Sequence, residues 1–571
     1  MAHRSIALLL LLCSGALRGE VLRVFPPHLL ELPPILTLLP GAPVQWSPFV
    51  RFPAIPDAMP LFTETPNAPP LELMAQLPGG RDLQPFSATP FAKQFELNGP
   101  ESLLAASEQQ HQRAWADRDS GDAAMYPTLA TLNPLTEMPE QLRDRAEAFL
   151  RSRELALQDD TAFAVDERPQ VLMRARGDET DGKWSETPPQ SYLAYFAARR
   201  YVAGQWWVDG PGSRAIVAIG HDNAVAGFLR VWKRAKQSGM ISRQTTLAEV
   251  RAAIEAQLRP ATRAGAVTVL ELELVYYDGN GAFLQPAYRF SARIRHRAYP
   301  ADVDEYVAGY VPYGAEKEPL PRLDAIAEEA DTDGEQREEP APGDPYVGRY
   351  ITRDDDPGWA NDAAGFWRAV SGGATGASFT NRQRQPARPE MFVTAKRTYV
   401  NAMHVALVEA HGDWGEFWTN GCCDGLVFLP SNGRPAGYGS AAGGALATLI
   451  LHGCEIIPAP PDDSDWALRW RSVFRGLHNI VGYRTPMVIT DGAGAAYGAS
   501  LSRGAPVVSA WTQDVASLDQ YHRPRSVTTH DRRHRLGRAS AIAVCGHEDD
   551  AVFSRSPIVG PLCLTGWWIN D

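Results

Sequence analysis

The spacing of apolar residues changes along the chain, and each change predicts an element. From Val267 to Tyr277, Leu270, Leu272 and Leu274 alternate with Glu271 and Glu273. A period of two belongs to a half-buried strand. Asp278-Gly279-Asn280-Gly281 predicts a hairpin turn, with the return strand over Tyr288–Ile294. The apolar runs Ala215–Ile219 and Val225–Val231 flank the turn His221-Asp222-Asn223 and predict another strand pair. Between these pairs, Thr246-Leu247-Ala248-Glu249 is a capping box that opens a helix through Leu258, stopping before Pro260. Further upstream, Leu142, Ala146, Leu150 and Leu155 share one side of a helix predicted over Glu140–Leu157.

The last third of the chain reads differently. Ala402–Val408 and Ala445–Leu451 are apolar almost throughout, as parallel strands buried on both faces are. Beyond the second run, Trp466, Trp470, Val473, Phe474 and Leu477 repeat at helical spacing. They predict an amphipathic helix that packs on the sheet and is closed by Gly482.

Composition limits the function classes. The chain has 571 residues, 44% hydrophobic and 21% charged, an ordinary globular balance sufficient for three or four domains. A formal net charge of −12 argues against a general nucleic-acid binder. His3 and Arg4, the apolar run Ile6–Cys13 and the small residues Ser14-Gly15-Ala16 have the order of a signal peptide, taken as 1–19. That run is too short to span a bilayer, so the expectation is a secreted or extracytoplasmic protein with no membrane contact after cleavage. Val24 to about Pro100 is Pro-rich without sustained period, and 20–135 is read as a largely irregular leader. Glu316–Asp344 holds eleven acidic against three basic residues and marks a solvated linker at 313–345. An α+β domain at 136–312 and an α/β domain at 346–571 complete the expected organisation.

Candidate chemistry lies where the two apolar runs end. The first ends in Glu409-Ala410-His411-Gly412 and the second in His452-Gly453-Cys454-Glu455. Ligands in open α/β sheets sit at the carboxyl ends of strands. Neighbouring strands would therefore bring His411 and Cys454 to one sheet edge, the geometry of a Cys–His dyad. This order, with Cys454 43 residues after His411, resembles the caspase-like cysteine peptidases: caspases, legumains, gingipains and clostripain. Gly453-Cys454-Glu455 is nearer to the legumain pattern than to the caspase one. The wider domain is similar to an uncharacterised family of bacterial secreted proteins. Its carriers are Asp362-Ala363-Ala364-Gly365-Phe366, the two strand-ending motifs, and Phe474-Arg475-Gly476-Leu477-His478 within Trp470–Thr485. Upstream, Arg200-Tyr201-Val202-Ala203-Gly204, Gly210-Pro211-Gly212-Ser213-Arg214 and Leu284-Gln285-Pro286-Ala287-Tyr288 resemble the PepSY/FTP propeptide-like domains.

These resemblances imply an α/β fold: a caspase-like parallel-sheet sandwich with helices on both faces, preceded by a PepSY-like domain and a Pro-rich leader. They imply that Cys454 is the nucleophile, that His411 is the general acid–base, and that the N–H groups of Gly412 and Cys454 form the oxyanion hole. The substrate would be a peptide or protein, no cofactor is required, and a precursor inhibited by its own N-terminal half fits the arrangement. His452 has no role in the family pattern. On the same fold, the alternative is a non-catalytic extracellular binding protein.

Other readings compete at single positions. His411, Cys422, Cys423, His452 and Cys454 could supply zinc, although adjacent Cys422-Cys423 is poor ligand spacing. Asp354-Asp355-Asp356 and Asp462-Asp463 could hold a structural calcium ion, yet neither has the EF-hand pattern. The basic stretch His522–Arg538 reads as a charged surface loop that could meet an acidic partner. Asp514 and Asn479 are candidates to orient His411. Five cysteines remain after Cys13 is removed with the signal peptide. Cys422, Cys423, Cys545 and Cys563 could form two bridges, leaving Cys454 as the free thiol.

Overall fold

The alternating run at Val267–Tyr277 lies within the strand Gly265–Asp278, paired antiparallel with Phe283–His296 across the predicted turn. The computed structural model that shows this describes residues 43–570 except 109–110, 153–154, 156–158, 181–182, 264, 297–303, 324–345, 353–356, 372–379, 420–425, 430–436, 461, 464, 490–491, 519–526 and 530–531. The expected signal peptide, most of the acidic run, Asp354–Asp356 and Cys422–Cys423 lie outside the described residues. So does part of the basic stretch His522–Arg538.

The protein is a mixed α/β structure built on a large mixed sheet. The parallel segment is in the C-terminal part: Thr380–Arg384, Tyr346–Ile351, Val405–Glu409, Thr448–His452 and Asn479–Tyr483, side by side in that order. Val405 and Leu407 face one core cluster, while Ala406 and Val408 face the other. Burial on both faces explains why these strands read as continuous apolar runs. The helix Pro357–Ser371 runs beside Ala493–Ser502 and touches this segment. Val507–Ser517 packs on Asn479–Tyr483, with Trp511 Nε1–H donating to the Gly482 carbonyl (2.8 Å).

The sheet does not stop at the last parallel strand. Ala539–Val544 pairs antiparallel with Asn479–Tyr483, Cys563–Asn570 with Ala539–Val544, and Gln170–Thr180 with Cys563–Asn570. Gln190–Val202, Arg214–Ile219 and Val225–Val231 follow. Backbone hydrogen bonding thus runs unbroken from the parallel segment into the strands of the N-terminal half.

Several local expectations meet their structure. The capping box at Thr246 and Glu249 is present, opening the helix Leu247–Leu258. Arg200, in the Arg-Tyr-Val-Ala-Gly motif, is buried and reaches Glu64 (2.9 Å) and Asp159 (3.2 Å), with Asp278 at 3.6 Å. That ion cluster ties the strand Ala58–Thr65 to the hairpin end at Asp278. Gly210, at φ +127°, sits where a Cβ would stand 2.1 Å from the Asp278 carbonyl oxygen.

Three expectations differ. Residues 43–135 hold Ala58–Thr65, Leu103–Ser107, Gln112–Asp117 and Ala123–Met125 as strands instead of a largely irregular leader. Ala58–Thr65 pairs with the distant Arg234–Ser242, and the other three are short, so no sustained local period announces them. The helix predicted over Glu140–Leu157 is Arg143–Leu150, after a 3₁₀ turn at Pro139–Leu142. The helix beyond Cys454 covers Trp466–Trp470 alone, and Gly482 lies inside the strand Asn479–Tyr483 rather than closing a helix. The left-handed residue there is Gly476, at φ +94°. Trp466, Trp470, Val473, Phe474 and Leu477 nonetheless share one core cluster, so the pattern reported burial correctly and helix length incorrectly.

Candidate active site

Val405–Glu409 and Thr448–His452 are adjacent and parallel, with Glu409 opposite His452. Each chain then turns over the sheet edge: His411 begins the short strand His411–Asp413, and Cys454 follows Gly453 two residues beyond His452. The turns touch through their glycines. A Cβ on Gly453 would lie 2.2 Å from the Ala410 carbonyl oxygen, and one on Gly412 would lie 2.0 Å from Ile456 Cγ1 and 3.0 Å from the Cys454 carbonyl oxygen. The backbones after the two strands therefore meet as closely as glycine permits. Glu455 takes a left-handed φ of +54°, so the chain turns sharply straight after Cys454.

The His411 ring is buried, with Nε2 3.1 Å from Glu305 Oε2 and the Trp359 ring edge-on at 4.6 Å between centroids. Glu305 comes from the strand Asp304–Pro312, in the N-terminal half. Tyr306 and Val307 of that strand pair in parallel with Val488 and Ile489. Just before those two residues, the Met487 N–H donates to Cys454 Sγ (3.4 Å). Cys454 is a free cysteine, half-buried against the larger core cluster. Burial pushes its thiol up to about 12, and the charges of Glu455 and Glu305 add to this against the Met487 N–H and His452. The sulfur is thus protonated at neutral pH and a poor nucleophile in this conformation.

Beneath this edge lies a cluster that the sequence did not assign. His452 Nδ1 is 2.9 Å from Glu409 Oε2 and 3.1 Å from Asp362 Oδ2, and Nε2 is 3.3 Å from the Tyr483 hydroxyl. All four residues are buried. Burial disfavours the imidazolium, but Glu409 and Asp362 outweigh it and hold His452 well above the ordinary histidine range. Burial raises Glu409 despite the neighbouring His452. The cluster therefore keeps protons to higher pH than its separate groups would, and a cationic ring donates from both nitrogens. Asp362 stands in the helix Pro357–Ser371, where its Oδ1 accepts from the Gly494 N–H (2.8 Å). The three donors His452, Glu409 and Asp362 also lie close enough to one another to hold a metal ion.

The remaining candidates are engaged elsewhere. Asp514 pairs with Arg214 (3.2 Å), and the Asn479 amide donates to the backbone carbonyls of His478 and His547; Glu305 is the carboxylate at His411. Asp462 is held by Arg484 and Asp463 by Arg469, so each carboxylate already faces a cation. Cys545 and Cys563 form a disulfide. The residues missed from sequence are Glu305, Asp362 and Glu409. Asp362 and Glu409 stand within motifs recognised by resemblance, but nothing local marks Glu305, which arrives from a strand more than a hundred residues away.

Residues 353–541 match the family described as "Domain of unknown function (DUF6345)". That span, about a third of the chain, contains Asp362, Glu409, His411, His452 and Cys454 but not Glu305. A solved structure, described as an uncharacterized protein from Eubacterium rectale ATCC 33656, aligns with a TM-score of 0.24 and 11% identity. The alignment covers 47% of this chain and 88% of that one, and at that score it carries no argument. No curated protein matches this chain.

Proposed function

We propose that this chain is an exported cysteine endopeptidase, held latent, with Cys454 as nucleophile and His411 as general acid–base. The observation that carries the reading is the contact between the two strand-end turns, where Gly412 approaches the Cys454 carbonyl. A caspase-like arrangement of the C-terminal domain, behind a PepSY-like propeptide region, fits the same observation. In the reaction the Cys454 thiolate attacks the peptide carbonyl, and the Gly412 and Cys454 N–H groups stabilise the oxyanion. His411 protonates the leaving amine, and water then hydrolyses the thioester to release the acid and restore the thiol.

The high thiol pKa and the Glu305–His411 contact support the latent form of this reading. Glu305 raises the thiol and ties up the imidazole at once, so moving this one carboxylate away would favour both catalytic groups. Latency is therefore read as intramolecular, with the strand Asp304–Pro312 as the restraint.

The same half-buried, protonated thiol also suits a non-catalytic binding protein. Hydrolysis of a fluorogenic peptide panel by wild type, Cys454→Ala and Glu305→Gln separates the two. Turnover that rises in Glu305→Gln and vanishes in Cys454→Ala supports the peptidase. Equal turnover in all three, or none in any, overturns it.

A further inference from the structure

At the opposite end of the parallel strands from Cys454, His478 directly precedes the strand Asn479–Tyr483. Its Nδ1 is 2.6 Å from Asp550 Oδ2, and the Nδ1 of His547 is 2.8 Å from the same oxygen. The two rings lie 4.4 Å apart between centroids. Two imidazole nitrogens and a carboxylate oxygen thus converge on one point. We propose that His478, His547 and Asp550 form a site for one divalent transition-metal ion, zinc by the chemistry of its donors.

The donor set is the first argument. Two histidines and one carboxylate are a recurrent zinc ligand set, and three protein donors leave a fourth tetrahedral position for water. A metal bound through both Nδ1 atoms leaves each ring proton on Nε2. The spacing His547-Glu548-Asp549-Asp550 gives two ligands from one tight turn, and His478 supplies the third from a strand start.

The second argument is support, because a metal site needs its ligands held in advance. The Asn479 amide donates to the carbonyls of both His478 and His547 (3.2 Å each). The Val544 N–H donates to the His478 carbonyl and the His547 N–H to the Val544 carbonyl, both at 2.9 Å. The Cys545–Cys563 disulfide fixes the chain two residues before His547, and the Val507 N–H donates to the Asp550 carbonyl (2.8 Å). His547 is only half-buried, which leaves an entry for the ion.

The test uses full-length protein, stripped with a chelator and titrated with zinc chloride by calorimetry, with metal content by elemental analysis. The expected result is about one equivalent of zinc per chain in wild type, and affinity lowered at least ~100-fold in the near-isosteric Asp550→Asn and in His547→Ala. Cys454→Ala and His452→Gln should retain the full equivalent, which keeps this result independent of the proposed peptidase. Cobalt(II) should give the visible spectrum of tetrahedral coordination in wild type but not in Asp550→Asn. If the variants fold poorly, wild type alone decides through a zinc-dependent rise in melting temperature. Stripped wild type that takes up no zinc, or zinc binding unchanged in Asp550→Asn, would overturn the proposal.

Discussion

Cys454 is governed at the residue scale by where its neighbours put charge. Burial raises its thiol most, and Glu305 adds to the effect. Iodoacetamide should therefore modify native Cys454 slowly at pH 7, and Glu305→Gln should speed the reaction several-fold, read by intact mass. His452 makes a second prediction. Its folded pKa is raised, so the stability it contributes is present below the unfolded value of about 6.5 and is lost as pH rises through the folded value. Glu409, raised by burial, likewise binds its proton more tightly folded than unfolded, so ionising it at higher pH also costs stability. Melting temperature should fall from pH 6 to pH 9, and His452→Gln should flatten the fall. The placement of His411 and Cys454 just beyond the ends of neighbouring strands was legible in the sequence, because each follows an apolar run. Glu305 was not, because no local pattern reports a contact made by chain reversal.

Elements carry their own tests. The two turns over the sheet edge meet through Gly453 and Gly412, and the atom a Gly453 Cβ would strike is a backbone carbonyl, which cannot swing away. Gly453→Ala should cost about 1–3 kcal/mol in denaturant unfolding, a typical penalty for forcing atoms into a packed site. Thr246→Ala should cost about 1 kcal/mol, by removing the cap of Leu247–Leu258. The capping box was readable because it is a local hydrogen-bond pattern. So were the strands Arg214–Ile219 and Val225–Val231, whose turn lies between them in sequence. Trp466–Leu477 was misread in length because helical spacing reports which residues face a core, whereas the break near Gly476 depends on local backbone conformation.

For the whole molecule, continuity of the sheet matters most. Cys563–Asn570 is hydrogen-bonded to Gln170–Thr180 over eight residue pairs, and Val488–Ile489 to Tyr306–Val307. Expressed alone, 346–571 would expose both edges, and edges of that kind aggregate. The prediction is a poorly soluble fragment beside a monodisperse full chain in size-exclusion chromatography. Composition and the acidic run gave no warning of this, because sheet continuity is a property of pairing between distant segments. Among the described residues, no helix is long and apolar enough to cross a membrane.

The central claim is that His411 activates Cys454. It is tested most directly by reacting full-length Glu305→Gln with a peptidyl chloromethyl ketone and locating the adduct by mass spectrometry. The account predicts a single adduct on Cys454 whose rate of formation collapses when His411→Ala is added. An adduct elsewhere, or one on Cys454 that forms at the same rate without His411, would contradict it.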